Sequence, residues 1–191
     1  MAAQAGALTR AGGEVWCGDE EETETTLREY PPLRATWAKR GHPANVVLSG
    51  RNARRVIHGA LNAATGELVQ LVRERSRQED CLAFVEQLAQ TRPDVPKLLI
   101  WDNAPAHHPT RVRAAAERAH ITIAWLPFRS PELNPCEDLW RLLKANIAAN
   151  RPPSSIDEVA QHAVTWLDTL PPDERLRRSG LFGAKFQWLS T

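Results

Sequence analysis

The sequence predicts one mixed α/β domain of three layers, with helices on both faces of a sheet. Three observations point there. In the first half, strand-like segments meet at a tight turn, which makes an antiparallel portion. In the second half, continuous apolar runs alternate with helical spacings, which makes a parallel portion. The chain has 191 residues, 42% hydrophobic and 25% charged, enough for one proper core without staples.

Residues 1–13 are rich in Ala and Gly and are expected to form a flexible tail. EVWCG (14–18) alternates apolar residues and reads as the first strand, ending in the acidic stretch that opens with Asp19. Tyr30–Pro31–Pro32 marks a loop, and ANVVLSG (44–50) a strand. ARRVIHGALNAATGELVQLVRE reads as a hairpin turning at Ala63–Gly66, where Gly66 is free to take positive φ. From Ser76, a cap region, Leu82, Val85, Leu88 and Ala89 recur at helical spacing until Pro93. KLLIW (97–101) and ITIAWL (121–126) are buried strands separated by an Ala/Arg-rich helix over 110–119. The proline-stiffened loop PFRSPELNP leads into a helix that starts near Pro135 and runs to about Asn150. Ser155 and Glu158 have capping-box spacing before another helix. The domain thus runs over 14–170, and 171–191 form a C-terminal tail that packs on it.

Several function classes are excluded. No run of 18 apolar residues exists and no basic-then-apolar leader opens the chain, so a cytoplasmic protein is expected. Three cysteines without a CxxC pair fit neither a disulfide framework nor a four-ligand zinc site, and His107 and His108 have no second ligand pair. GxGxxG, GxxxxGK[ST] and GxSxG motifs are absent.

Charge is nearly balanced but unevenly placed. Residues 1–27 hold one base against six acids, 28–77 ten against three, and 78–191 thirteen against fourteen. The basic block includes Arg34, Lys39, Arg40, Arg51, Arg54, Arg55, Arg73, Arg75 and Arg77. It admits a polyanion partner or a merely solvated face.

Three carboxylates stand at telling places: Asp19 after the first strand, Asp102 after KLLIW, and Glu137 at the head of a helix. Ligands of open α/β sheets gather at the carboxyl ends of parallel strands. Carboxylates clustered there repel one another unless a hard cation such as Mg²⁺ or Mn²⁺ joins them. Each also has a plainer explanation, as a turn residue, an acidic surface run or a partner of the helix dipole, and spacing does not separate the two. On the last helix Glu137, Trp140, Arg141 and Lys144 share one face, opposite Leu139, Leu142, Leu143 and Ile147, which should pack on the sheet. Most of the seven tryptophans are expected in the core, with Trp37 and Trp140 available to stack on DNA.

LLIWDNAPAHH and LPFRSPELNPCEDLWRLLK together resemble the catalytic core of DDE-type transposases, and most of all the mariner superfamily and its bacterial insertion sequence 630 branch. Between Asp102 and Glu137 lie 34 residues, the spacing that superfamily uses. WCGDE followed by YPPLRATWAKRG is similar to the region of the family's first Asp, and SGLFGAKFQWL to its C-terminus. The resemblance covers about residues 14–191. It implies an RNase H-like fold, with Asp19, Asp102 and Glu137 as catalytic and metal-binding residues for Mg²⁺, with Mn²⁺ as a substitute. It further implies cleavage of DNA strands at element ends and attack of the freed 3′-hydroxyl on target DNA. Asn103, His107 and Asn134 would support the site, Asn134 by shaping the loop before Glu137. DNA-backbone contacts are assigned to Arg141, Lys144, Arg54 and Arg55.

The family carries a helix-turn-helix region upstream of this core, whereas 18 residues precede Asp19 here. The expected partners are therefore DNA, and either a second copy of the chain or an upstream helix-turn-helix part. The alternatives are a non-catalytic remnant acting as an interaction or regulatory protein, and a stand-alone RNase H-like nuclease.

Overall fold

A computed structural model of the chain describes residues 2–18, 26–29, 39–40, 53–128, 130–134, 136–147, 155–183 and 186. The expected strand at 44–50, the loop at Tyr30–Pro32, and Asp19, Trp37, Pro135 and Trp188 lie outside the described residues.

The strands are β1 (Glu14–Gly18), β2 (Thr26–Arg28), β3 (Arg54–Asn62), β4 (Leu68–Arg73), β5 (Lys97–Trp101) and β6 (Ile121–Trp125). The helices are α1 (Ala2–Arg10), α2 (Gln78–Gln90), α3 (Thr110–Arg118), α4 (Glu137–Ile147), α5 (Ile156–Thr169) and α6 (Pro172–Arg178). All six strands form one sheet. β3 is its organiser. One edge of β3 pairs antiparallel with β4, and the other pairs with β2 near Arg54 and with β1 near Asn62. β1, β5 and β6 then run parallel, so their carboxyl ends leave the sheet at one end. This mixed sheet between helical layers is the architecture of an RNase H-like domain.

Strand alternation builds two cores. Val15, Cys17, Leu98 and Ile100 face α1, α4, α5 and α6, together with Leu139, Trp140, Leu143, Val159 and Leu167. Trp16, Leu99 and Trp101 face α2 and α3, against Phe84, Val85, Leu88 and Val112. β5 is buried along its whole length because both faces are covered.

The hairpin turns where expected, with Gly66 at φ +73°. A Cβ there would also lie 2.1 Å from the Pro172 carbonyl oxygen, so α6 docks on the turn only because the residue is glycine. Ser155 caps α5, its hydroxyl accepting from the Glu158 amide at 3.2 Å.

Three expectations are corrected. Residues 2–10 form α1 rather than a tail: alanine favours helix, and Ala5, 1% exposed, and Leu8 cover the end of the first core. Ser76 does not cap α2; the Asp80 carboxylate does, accepting from the Arg77 amide at 3.1 Å. Trp140 does not share an open face with Glu137. It is fully buried, and its ring crosses β3 so closely that a Cβ on Gly59 would stand 2.4 Å from it. The buried stripe of α4 is Leu139, Trp140 and Leu143, and Trp140 is not available for stacking on DNA.

Candidate active site

The site is built where β1 and β5 end and α4 begins. Gly18 is the last residue of β1, and it lies so close to β5 that a Cβ on it would stand 2.8 Å from Trp101 Cδ1. Trp101 ends β5, its carbonyl accepting from the Leu126 amide at 2.8 Å, and Asp102 follows immediately.

Asp102 sits in a prepared setting. A 3-10 turn at Pro105–His107 folds the chain back so that His107 Nδ1 stands 2.6 Å from Asp102 Oδ1. The His107 ring is fully buried and stacks on Trp101 with centroids 3.7 Å apart and planes at 19°. Burial disfavours the charged ring, but the hydrogen bonds to Asp102 and Cys81 outweigh it and push its pKa up to about 10. Asn103 makes a separate pair: its Oδ1 meets His108 Nε2, and the His108 ring leans on Trp125 at 4.3 Å.

Glu137 is the first residue of α4, half-buried, where a carboxylate also suits the helix dipole. Its position is fixed by Asn134, which is 3% exposed. Asn134 Oδ1 accepts from the Cys136 amide at 3.0 Å, and Asn134 Nδ2 donates to the Gly18 carbonyl at 3.1 Å. Cys136, fully buried, adds a thiol hydrogen bond to the Cys17 carbonyl at 3.3 Å. The head of α4 is thus tied to the end of β1, and the end of β1 lies against Trp101. Asp102 and Glu137 therefore leave the same end of the sheet, beside the residue that precedes Asp19.

The donors fit a hard divalent cation, since Asp102 and Glu137 offer carboxylate oxygens where two parallel strands end. Among the described residues no three His, Cys, Asp or Glu side chains form a metal cluster.

The basic residues are placed unequally. Arg54 is exposed. Arg55 pairs with Asp157 of α5 at 2.6 Å, with its side chain 20% exposed. Arg141 is exposed and pairs with Asp138 one turn back on the same helix. Lys144 is half-buried. Three participants were not legible as such from the sequence: Trp101, Cys81 and Cys136. Trp101 ends a buried apolar run, Cys81 and Cys136 are single buried residues, and the role of each depends on packing.

Among solved structures, the fold is similar to that of the Mos1 transposase paired-end complex with left transposon end. The TM-score is 0.66 at 16% identity, over 98% of this chain and 58% of that one. It is also similar to the catalytic domain of Mos1 mariner transposase, with a TM-score of 0.60 at 13% identity, over 98% of this chain and 87% of that one. Among curated proteins, the insertion element IS630 uncharacterized 39 kDa protein of Shigella sonnei is 26% identical over 153 residues, 79% of this chain and 45% of that protein. The chain thus spans about half the length of that relative. The DDE superfamily endonuclease family matches residues 14–160, from β1 through the Asp102 turn and α4 into α5. Since that match takes in most of the chain and both described carboxylates, the chain belongs to the DDE superfamily of endonucleases.

Proposed function

We propose that this chain is the catalytic domain of a DNA transposase, which cleaves strands at the ends of a mobile element and transfers them to target DNA. The observation that carries the reading is the tie from Asn134 to Gly18, which holds the head of α4, with Glu137, at the end of the sheet where β1 stops beside β5 and Asp102 follows. Asp19, Asp102 and Glu137 would hold the metal. Mg²⁺ or Mn²⁺ bound there would supply activation of a water or 3′-hydroxyl and stabilisation of the leaving oxygen. The Mos1 neighbours include a paired-end complex with Mn, one with Mg and a strand transfer complex, which supports a divalent metal and DNA ends as the working components.

The chain's own residues orient and hold. The Asp102 turn keeps its carboxylate against His107, and the Asn134 loop keeps Glu137 at the helix head. Arg54, Arg55, Arg141 and Lys144 are proposed to meet the DNA backbone. Recognition of element ends would fall to a second copy or to a helix-turn-helix part. Among the described residues no helix is long and apolar enough to cross a membrane. DNA in the cytoplasm is the proposed setting.

The test is Mg²⁺- or Mn²⁺-dependent nicking of supercoiled DNA by the purified chain, with Asp102→Asn and Glu137→Gln beside it. Nicking by the wild type that both substitutions abolish is the expected result. Nicking that survives them places the chemistry elsewhere. A folded wild type inert with both metals, alone and with an added helix-turn-helix partner, favours the non-catalytic reading.

A further inference from the structure

Behind Asp102 stands a line of buried side chains that the metal reading does not use. His107 has no exposed surface, and its Nδ1 is 2.6 Å from Asp102 Oδ1 and 3.4 Å from the Asp102 carbonyl oxygen. Trp101 supports the ring from below by stacking. Cys81, fully buried in the first turn of α2, belongs to the same core as Trp101. Cys81 is itself approached by the Ser76 hydroxyl, 3.9 Å from its sulfur. An imidazole has two distinct nitrogens, and the bond made by one fixes what the other presents. The contact of Nδ1 with the Asp102 carboxylate selects the form of the ring that carries an N–H on Nδ1.

We propose that His107 is a positioning residue that commits Asp102 Oδ1 to its ring and leaves Oδ2 as the oxygen offered to a divalent cation, with the stack on Trp101 setting the plane of the ring. This inference rests on Asp102 being a metal ligand. It adds the means by which that ligand is aimed. A carboxylate held in this way does not have to be ordered when the metal arrives. Partners of this kind are typically worth roughly 10- to 100-fold in metal affinity.

The experiment is Mn²⁺ binding to the full chain without DNA, read as free Mn²⁺ by electron paramagnetic resonance, with thermal unfolding of each variant measured alongside. Asp102→Asn should abolish binding. His107→Leu should weaken it roughly 10- to 100-fold. His107→Asn, whose amide nitrogen falls near the place of Nδ1, should recover most of the loss. His107→Phe, which keeps the stack on Trp101 but has no N–H, should weaken binding as His107→Leu does. Wild-type affinity in a folded His107→Leu overturns the proposal. So does a His107→Asn no better than His107→Leu, which would make the ring a packing element against Trp101. If His107→Leu does not fold, wild-type affinity in a folded His107→Phe overturns it instead. Binding lost in Asp102→Asn but kept in His107→Leu defeats this inference and spares the metal reading, whereas a wild type that binds no Mn²⁺ defeats both.

Discussion

Asn134 and Gly18, 116 residues apart in the chain, are joined by a hydrogen bond of 3.1 Å from the side-chain amide to the backbone carbonyl. The other end of the same amide accepts from the Cys136 amide, so one buried side chain fixes the entry to α4 against the exit of β1. Asn134→Ala leaves that carbonyl and that amide to find other partners in a buried place. It should cost about 1–3 kcal/mol of stability. It should also lower metal-dependent nicking roughly 10- to 100-fold in protein that remains folded, as loss of an outer support does at metal sites. Urea unfolding and nicking rates measured on one preparation separate the two effects. Full nicking in Asn134→Ala would remove this residue from the site.

Trp140 belongs to the core, not to a DNA-facing surface. Trp140→Ala should cost about 3–5 kcal/mol through the cavity it leaves. Gly59→Ala, which drives a methyl into the same ring, should cost about 1–3 kcal/mol. Trp140→Phe, folded, should bind DNA with the wild-type affinity. A fall in DNA affinity larger than its fall in stability would return the ring to the interface.

Lys97 lies at the other end of β5 from Asp102 and is fully buried. Its ammonium donates to the Arg92 carbonyl at 2.8 Å and the Val95 carbonyl at 3.1 Å, closing the loop after α2. Burial holds its pKa below the usual 10.5. The unfolded chain therefore binds more protons between the lowered value and 10.5. Stability should rise with pH across that window, and Lys97→Met should remove the rise. It should also cost about 1–3 kcal/mol by leaving two partly buried carbonyls short of a donor. Denaturant midpoints against pH for both proteins check the sign, and nicking by folded Lys97→Met should be unchanged.

The candidate backbone contacts are not equivalent. Arg54 is exposed, while Arg55 must release Asp157 to meet a phosphate. Arg54→Ala should reduce the slope of log affinity against log salt by about 0.9, the value for one phosphate contact on duplex DNA. Arg55→Ala should reduce it less, and Asp157→Asn should strengthen binding. A slope unaltered in Arg54→Ala removes that residue from the contact surface.

Local pattern determined much of this protein from the sequence. Apolar runs gave the buried strands, the Ala–Ala–Thr–Gly turn the hairpin, Ser155 and Glu158 a helix cap, and the two motifs around Asp102 and Glu137 the family. Each of these signals is carried by residues a few positions apart, where backbone geometry alone fixes who meets whom. The tertiary structure decided the rest. It buried Trp140 over Gly59, folded residues 2–10 into a helix against the core, aimed Asn134 at Gly18, and set Cys81 and Trp101 around His107. Those pairings depend on which faces of distant elements are brought together when two cores close on one sheet. A helical spacing shows that a residue has a face, but the burial of neighbouring surface decides which face turns inward.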